Sequence, residues 1–309
     1  MGCKILGIGA HLPGEPFTNH DIEKITNTNH EWIRTRTGIL QRYFTKGTAA
    51  EMAFEASKLA IIDAGINKAE IDLIIVCSTT PDRAFPSTAT TLHGMLGLSH
   101  VPSFDLNAVC SGFIYGMQVA NALMHMHNYK KTLLIGSDKM SSVLSMEERS
   151  TAVLFGDGAG AVILEKNDDN LFDSMIGSNG KYSEILKTKS VNGVNSIFMQ
   201  GKEVYKQAIT VMTKMAEDIL AKNSLTIDDI DFFVPHQANI RIIESIAEKL
   251  RIPSNKVVTT VTDHANTSAG TIPLALDDIK RKGMLKQGNI ILMSALGAGI
   301  TYGGLLIRY

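Results

Sequence analysis

The chain has 309 residues, a formal net charge of −1, 44% hydrophobic and 20% charged residues. That length buries a large core in one or two domains, and the near-zero charge gives no electrostatic reason to expect nucleic acid or an acidic membrane as a partner. No apolar run approaches the roughly 20 residues that span a bilayer, and three scattered cysteines (Cys3, Cys77, Cys110) fit a reducing cytoplasm and argue against a disulfide framework or a zinc site.

In chain order, MGCKILGIGAHLPGEP lacks a basic leader followed by an apolar core, so a first strand and no signal peptide are expected there; its Met-Gly-Cys start is only a faint lipidation signal. Residues 51–65, EMAFEASKLAIIDAG, predict a helix with Met52, Ala56, Leu59 and Ala60 on one face and Gly65 as its C-terminal cap. The connector INKAEID leads into an apolar strand, LIIVCSTT. FDLNAVCSGF (104–113) then places a thiol between a strand and the helical GFIYGMQVANALMHM, followed by the strands KKTLLIGS and GDGAGAVILEK. GDGAG lacks the spacing of a phosphate-binding loop and precedes a strand rather than a helix, so it reads as a Gly-rich strand connection.

After the polar EKNDDN (165–170) the design starts again. Residues 205–223 predict a helix facing inward with Ala208, Met212, Met215 and Ile219; SLTIDDID then leads into the strand FFVPHQAN. VVTTVTDHANTSAG, the helical GTIPLALDDIKRKGM, and the strands GNIILMSA and GITYGGLLIRY complete the second copy. Ile71 and Ile230 correspond at an offset of 159, Gly112 and Gly270 at 158, and Ser137 and Ser294 at 157. Continuous Ile/Val/Leu strands argue for sheets covered by helices on both faces. The expected architecture is therefore five-layered, α/β/α/β/α, with pseudo-twofold halves at 1–168 and 169–309.

The repeat puts three polar residues at cleft-prone strand ends: Cys110, Asn266 in the matching region of the second half, and His236 where the first half has Ser78-Thr79. A cysteine at a helix N-terminus is expected to favour thiolate. Cysteine, histidine and asparagine also occur in this chain order in papain-like hydrolases. Here, however, 109 residues precede Cys110, no papain-type cysteine context surrounds it, and the duplication has no place in that fold.

NTNHEWIRTRTGI, NAVCSGF, LFGDGAGAVIL, PHQANIRI, HANTSAGTIPLAL and the closing GAGITYGGLLIRY together resemble the β-ketoacyl-acyl-carrier-protein synthase III family of thiolase-like condensing enzymes, nearly end to end. The resemblance implies a duplicated thiolase-like fold, a homodimer, and a cytoplasmic enzyme with no cofactor or metal, acyl-CoA being a substrate. It implies that Cys110 takes the acyl group from acyl-CoA, after which His236 and Asn266 assist decarboxylation of malonyl-acyl carrier protein and its condensation with that acyl group. The backbone N–H groups of Cys110 and Ala298 would form the oxyanion hole. By the same resemblance, Thr28, Trp32, Arg36, Arg149 and Asn239 would bind CoA and Phe85 would close the acyl pocket across the dimer. Gln237, Ala238, Asn239, Ile240, Arg241, Lys206 and Lys249 would meet the carrier protein. The chain departs from the usual pattern at Gly297-Ala298-Gly299, at Tyr302 where Trp is common, and at NTSAGT where NTSAAS is frequent. Two alternatives remain: a same-fold acyltransferase or ketosynthase of secondary metabolism, and a non-catalytic thioester-binding protein, which would be expected to have lost Cys110, His236 or Asn266.

Overall fold

The computed structural model describes residues 2–191 and 194–309; Met1 of the faint lipidation signal lies outside them. The stretch after it forms the strand Cys3–His11. One sheet has five strands in the order Cys3–His11, Gly158–Lys166, Lys131–Asp138, Leu73–Cys77, Ser103–Leu106. The first two pairings are antiparallel and the last two parallel. The second sheet repeats this order with Phe172–Ser178, Thr301–Arg308, Ile290–Gly297 and Phe232–Pro235, and a parallel bridge from Phe233 to Val257 stands where the fifth strand would be.

Helices fill the remaining layers. Ala49–Ala64 and Thr88–Leu96 cover the outer face of the first sheet, and Gly201–Lys222 and Ile240–Leu250 cover that of the second. Gly112–His127 and Thr271–Arg281 lie between the sheets, where Phe113, Met117, Ala120, Met124, Ile272 and Leu276 are buried against both. Both outer helices of the first sheet begin on carboxylates that accept their first N–H groups: Asp82 at Ala49 and Ala50, Asp105 at Thr88 and Ala89.

The register sharpens the repeat. Ile74 pairs with Leu133, and Phe233 with Leu292, so the offset is 159 in both strands. Ile71 and Ile230 each end a 3-10 turn, as expected of equivalents. The turns Val109–Ser111 and Ser268–Gly270 also differ by 159, and each starts from a non-glycine residue at positive φ, Val109 at 51° and Ser268 at 54°. The offsets of 158 and 157 are therefore slips of one and two residues: Gly112 matches Thr271, and Ser294 matches Ile135. Aligning small residues across the halves followed composition, whereas the hydrogen-bond register follows the backbone.

The face predicted for Ala49–Ala64 is also shifted. Met52, Ala56 and Ala60 are buried, but Leu59 is 48% exposed. The strand Cys3–His11 approaches through Gly9 so closely that a Cβ there would lie 2.3 Å from Ala56 O, which leaves room only for small side chains on that face. In Gly201–Lys222 all four predicted positions are buried.

Candidate active site

The strand Ser103–Leu106 ends at Asn107, whose Oδ1 accepts the Val109 N–H at 3.2 Å. This turn delivers Cys110 to the head of the buried helix Gly112–His127. The hydroxyls of Ser111 and Thr301 lie 2.7 Å apart, and both reach the Ala108 carbonyl, at 2.7 and 2.8 Å. They pin the cysteine turn to the C-terminal hairpin. Gly297 in that hairpin comes so near that a Cβ would lie 2.7 Å from Ala108 O and 2.9 Å from Cys110 N. Among the described residues, no backbone carbonyl accepts the N–H of Cys110 or of Ala298.

The second half builds the same turn. Asn266, the equivalent of Asn107, accepts the Ser268 N–H on Oδ1 at 2.8 Å, and its backbone is clamped to Leu154 and Gly156 at 2.9 and 3.1 Å. With Oδ1 occupied the amide orientation is set, and Nδ2 has no partner among the described residues. Ala269, the equivalent of Cys110, donates its N–H to Asp138 at 3.1 Å. Asp138 also accepts from Ser78 Oγ, from the N–H groups of Thr79 and Thr80, and from Thr80 Oγ1, so one buried carboxyl joins the two halves beneath the turns. Burial raises its pKa, and these donors oppose the rise.

His236 follows the strand Phe232–Pro235, and its equivalent in the first half is Cys77 rather than Ser78-Thr79. Its N–H donates to Ser294 O at 2.9 Å, and its ring Nδ1 lies 2.7 Å from Thr271 Oγ1. Burial lowers its pKa to about 3, so the imidazole is neutral. Cys110 is 6% exposed, and burial pushes its thiol up to about 12, with Asp138 raising it further and the Ser268 hydroxyl acting against the rise. Burial thus opposes the thiolate expected of a cysteine at a helix N-terminus. The Ser268 hydroxyl lies near both the Cys110 thiol and the Asp138 carboxyl without a well-formed hydrogen bond to either.

These contacts bring Cys110, Asn266 and His236 into one cluster. Cys110 meets the Asn266 turn through Ser268, and a Cβ on Gly112 would sit 3.4 Å from Ala269 Cβ. Thr271, the next residue after that turn, holds His236. Asp138, Ser268, Thr271 and Thr301 were not singled out in the sequence. An offset kept at 159 pairs Asn107 with Asn266 and was the signal available for the turn.

The outer residues are more dispersed. Trp32 lies in the short helix His30–Thr37, capped by Asn29 Oδ1 at 2.8 Å, and the Arg149 guanidinium stacks 4.5 Å from its ring centroid. Thr28 Oγ1 is buried without a partner among the described residues, whereas Arg36 is exposed. Asn239 caps Ile240–Leu250 through Oδ1 at 2.9 Å and donates Nδ2 to Arg36 O at 3.1 Å, so both ends of its amide are engaged. Gln237 is corrected: it is 0% exposed, donates to Pro235 O and Val258 O and accepts from Thr260 and Val261, so a carrier protein cannot touch it. Ala238 and Ile240 are half-buried; Arg241, stacked over Tyr205, and Lys206 and Lys249 are exposed. Phe85 is 84% exposed. An open groove of about 750 Å³ beside His11, Phe54 and Met95 includes none of these residues.

The signature described as 3-Oxoacyl-[acyl-carrier-protein (ACP)] synthase III matches residues 104–180, and its C-terminal counterpart matches residues 220–309. The β-ketoacyl-[acyl-carrier-protein] synthase III of Rickettsia bellii is 52% identical over 317 aligned residues, covering all of both chains. The solved 3-oxoacyl-[acyl-carrier-protein] synthase III of Aquifex aeolicus is 40% identical with a TM-score of 0.96, again over all of both chains. The solved priming β-ketosynthase of the R1128 polyketide biosynthetic pathway is 31% identical with a TM-score of 0.95, over 99% of this chain and 96% of that one.

Proposed function

The chain belongs to the 3-oxoacyl-[acyl-carrier-protein] synthase III family and is a condensing enzyme that initiates fatty acid synthesis; from that premise we propose that Cys110, His236 and Asn266 carry its reaction. Cys110, deprotonated as it attacks, adds to the thioester carbonyl of acyl-CoA, and CoA leaves with the proton. The N–H groups of Cys110 and Ala298 receive the developing oxyanion, an interaction worth roughly 3 to 4 kcal/mol per donor. Malonyl-acyl carrier protein then enters. His236 and Asn266 donate hydrogen bonds to its thioester carbonyl, and carbon dioxide departs from the stabilised enolate. The enolate carbon attacks the acyl-Cys110 carbonyl and expels the thiolate, giving β-ketoacyl carrier protein. No cofactor enters this sequence.

The observation that carries the reading is Asn266, whose Oδ1 is taken by the Ser268 N–H so that among the described residues only Nδ2 is left to donate, in the same cluster as His236, which burial makes a weak base. Intact mass after incubation with acyl-CoA should show an acyl adduct on the wild type and none on Cys110→Ser. Absence of an adduct from every CoA thioester tried sinks the proposal. His236→Ala should abolish malonyl decarboxylation while Cys110 still acylates; equal loss of both would indicate a cysteine–histidine ion pair instead.

The half-buried Trp32, the stacked Arg149 and the unpartnered Thr28 hydroxyl support a CoA nucleotide site, with Arg36 and Asn239 along its edge. Arg241, Lys206 and Lys249, with the half-buried Ala238 and Ile240, support a basic rim for an acidic carrier protein. We further propose a cytoplasmic homodimer joined along Ser103–Leu106, whose outer edge is unpaired among the described residues, with Phe85 closing the partner's acyl pocket. Among the described residues no helix is long and apolar enough to cross a membrane, and no cluster of metal-ligating side chains occurs. The likeness to a polyketide priming ketosynthase favours a second reading, condensation for secondary metabolism. A primer panel from acetyl-CoA to branched and medium chains with malonyl carrier protein, read by mass, separates the two.

A further inference from the structure

We propose that Thr271 is a positioning residue that fixes the buried His236 ring as its Nε2–H tautomer, so that Nε2 faces the malonyl thioester as a donor. The inference rests on the donor role given to His236 above and deepens it.

The argument is a count of hydrogens. The neutral ring carries one N–H, on Nδ1 or on Nε2. Nδ1 lies 2.7 Å from Thr271 Oγ1 in a buried contact. Among the described residues the Thr271 hydroxyl has no other hydrogen-bond partner. A threonine in a helix ordinarily bonds back to a carbonyl three or four residues earlier. Here the Thr267 carbonyl accepts the Gly270 N–H and the Ser268 carbonyl the Thr271 N–H, while the Thr271 hydroxyl is turned to His236. If Nδ1 carried the proton and donated to Oγ1, the hydroxyl hydrogen would be buried without an acceptor, which native structures avoid. If the hydroxyl donates to Nδ1, every hydrogen in the pair is placed and Nε2 must carry the ring proton. The first half has no counterpart: at the offset of 159 its equivalents are Gly112 and Cys77, so the device belongs to the half that handles malonyl.

Thr271→Val keeps the shape and removes the hydroxyl, whereas Thr271→Ser keeps the donor. In Thr271→Val, malonyl carrier protein decarboxylation should fall roughly tenfold or more while Cys110 acylation by acyl-CoA stays within about twofold. Thr271→Ser should retain both rates within about twofold. Nitrogen NMR of the 15N-histidine protein, with the His236 signals identified by their loss in His236→Ala, should show Nδ1 unprotonated and Nε2 protonated. Wild-type decarboxylation in Thr271→Val, equal loss of both half-reactions, or a proton on Nδ1 in the wild type overturns the inference. If Thr271→Val does not fold, the wild-type spectrum decides alone. Should His236→Ala decarboxylate at the wild-type rate, the donor role itself fails, whatever Thr271 does.

Discussion

Burial acts on Cys110 and His236 in opposite ways. It holds the thiol protonated and the imidazole neutral, because each loses its charged form on leaving water. The two half-reactions should therefore have different pH profiles. With the thiol pushed up to about 12, the thiolate fraction grows about tenfold per pH unit, so acylation should rise steadily from pH 6 to 9. With His236 at about 3, protonation removes the donor's neutral form only in strong acid, so decarboxylation should be flat from pH 5 to 8. Single-turnover rates of each half-reaction test this. An acid limb near 6.5 in decarboxylation would mean that His236 titrates as an ordinary histidine. Trp32 offers a second test at this scale, being the protein's one tryptophan. The Arg149 guanidinium, 4.5 Å from the ring centroid, leaves no gap for a base on that face, so a base that stacks there displaces Arg149. Tryptophan fluorescence should change saturably with CoA. Arg149→Ala should raise the KM for acyl-CoA about tenfold without slowing malonyl decarboxylation, on the order expected for one cation–π and phosphate contact. Fluorescence that ignores CoA would remove Trp32 from the nucleotide site.

Between elements, the decisive contacts are backbone to backbone. Gly136 in the strand Lys131–Asp138 lies so close to the second-half turn that a Cβ would sit 2.2 Å from Ala269 O and 3.0 Å from Gly270 N. Neither atom can rotate away. Gly136→Ala should therefore cost roughly 1 to 3 kcal/mol, seen as a lower Tm. It should also slow decarboxylation more than acylation, since the displaced turn carries Asn266. Equal slowing would show that the strain does not pass through that turn. These close approaches explain what the sequence could and could not disclose. Apolar periodicity marked the helices and strands, and the recurrence of whole units disclosed the duplication. Cys110 and His236 stood out as polar residues just beyond a strand, and Asn266 as the polar residue in the matching region of the second half. Thr271 did not, because a threonine after a small-residue turn looks like any helix start until the histidine is seen against it. Leu59 was misplaced because the sequence does not announce how closely Gly9 packs. Gln237 seemed available to a partner because three of its four hydrogen bonds to backbone, those with Val258, Thr260 and Val261, are tertiary facts.

For the whole molecule, the repeat invites division at residue 168, yet the core crosses that line. Gly112–His127 buries Phe113, Met117 and Met124 in a cluster that also contains Ile272, Leu276, Met293 and Leu305 from the other half. Asp138 accepts from Ala269, and Asn170 Nδ2 reaches both Cys3 O and Arg308 O at 2.8 Å. A segment 1–168 alone would carry a central helix whose second apolar face, with Phe113, Met117 and Met124, meets water. The active site is divided likewise, with the thiol in one half and both donors in the other. We therefore expect 1–168 and 169–309, produced separately, to be aggregated or loosely packed and unable to decarboxylate malonyl carrier protein. Co-produced, they should assemble into an active complex. The intact chain should unfold in one transition, with Trp32 fluorescence and far-ultraviolet dichroism coinciding. A well-dispersed NMR spectrum from 1–168 alone, or two resolved transitions in the intact chain, would show instead that each half holds its own core and that the shared layer is only a contact between them.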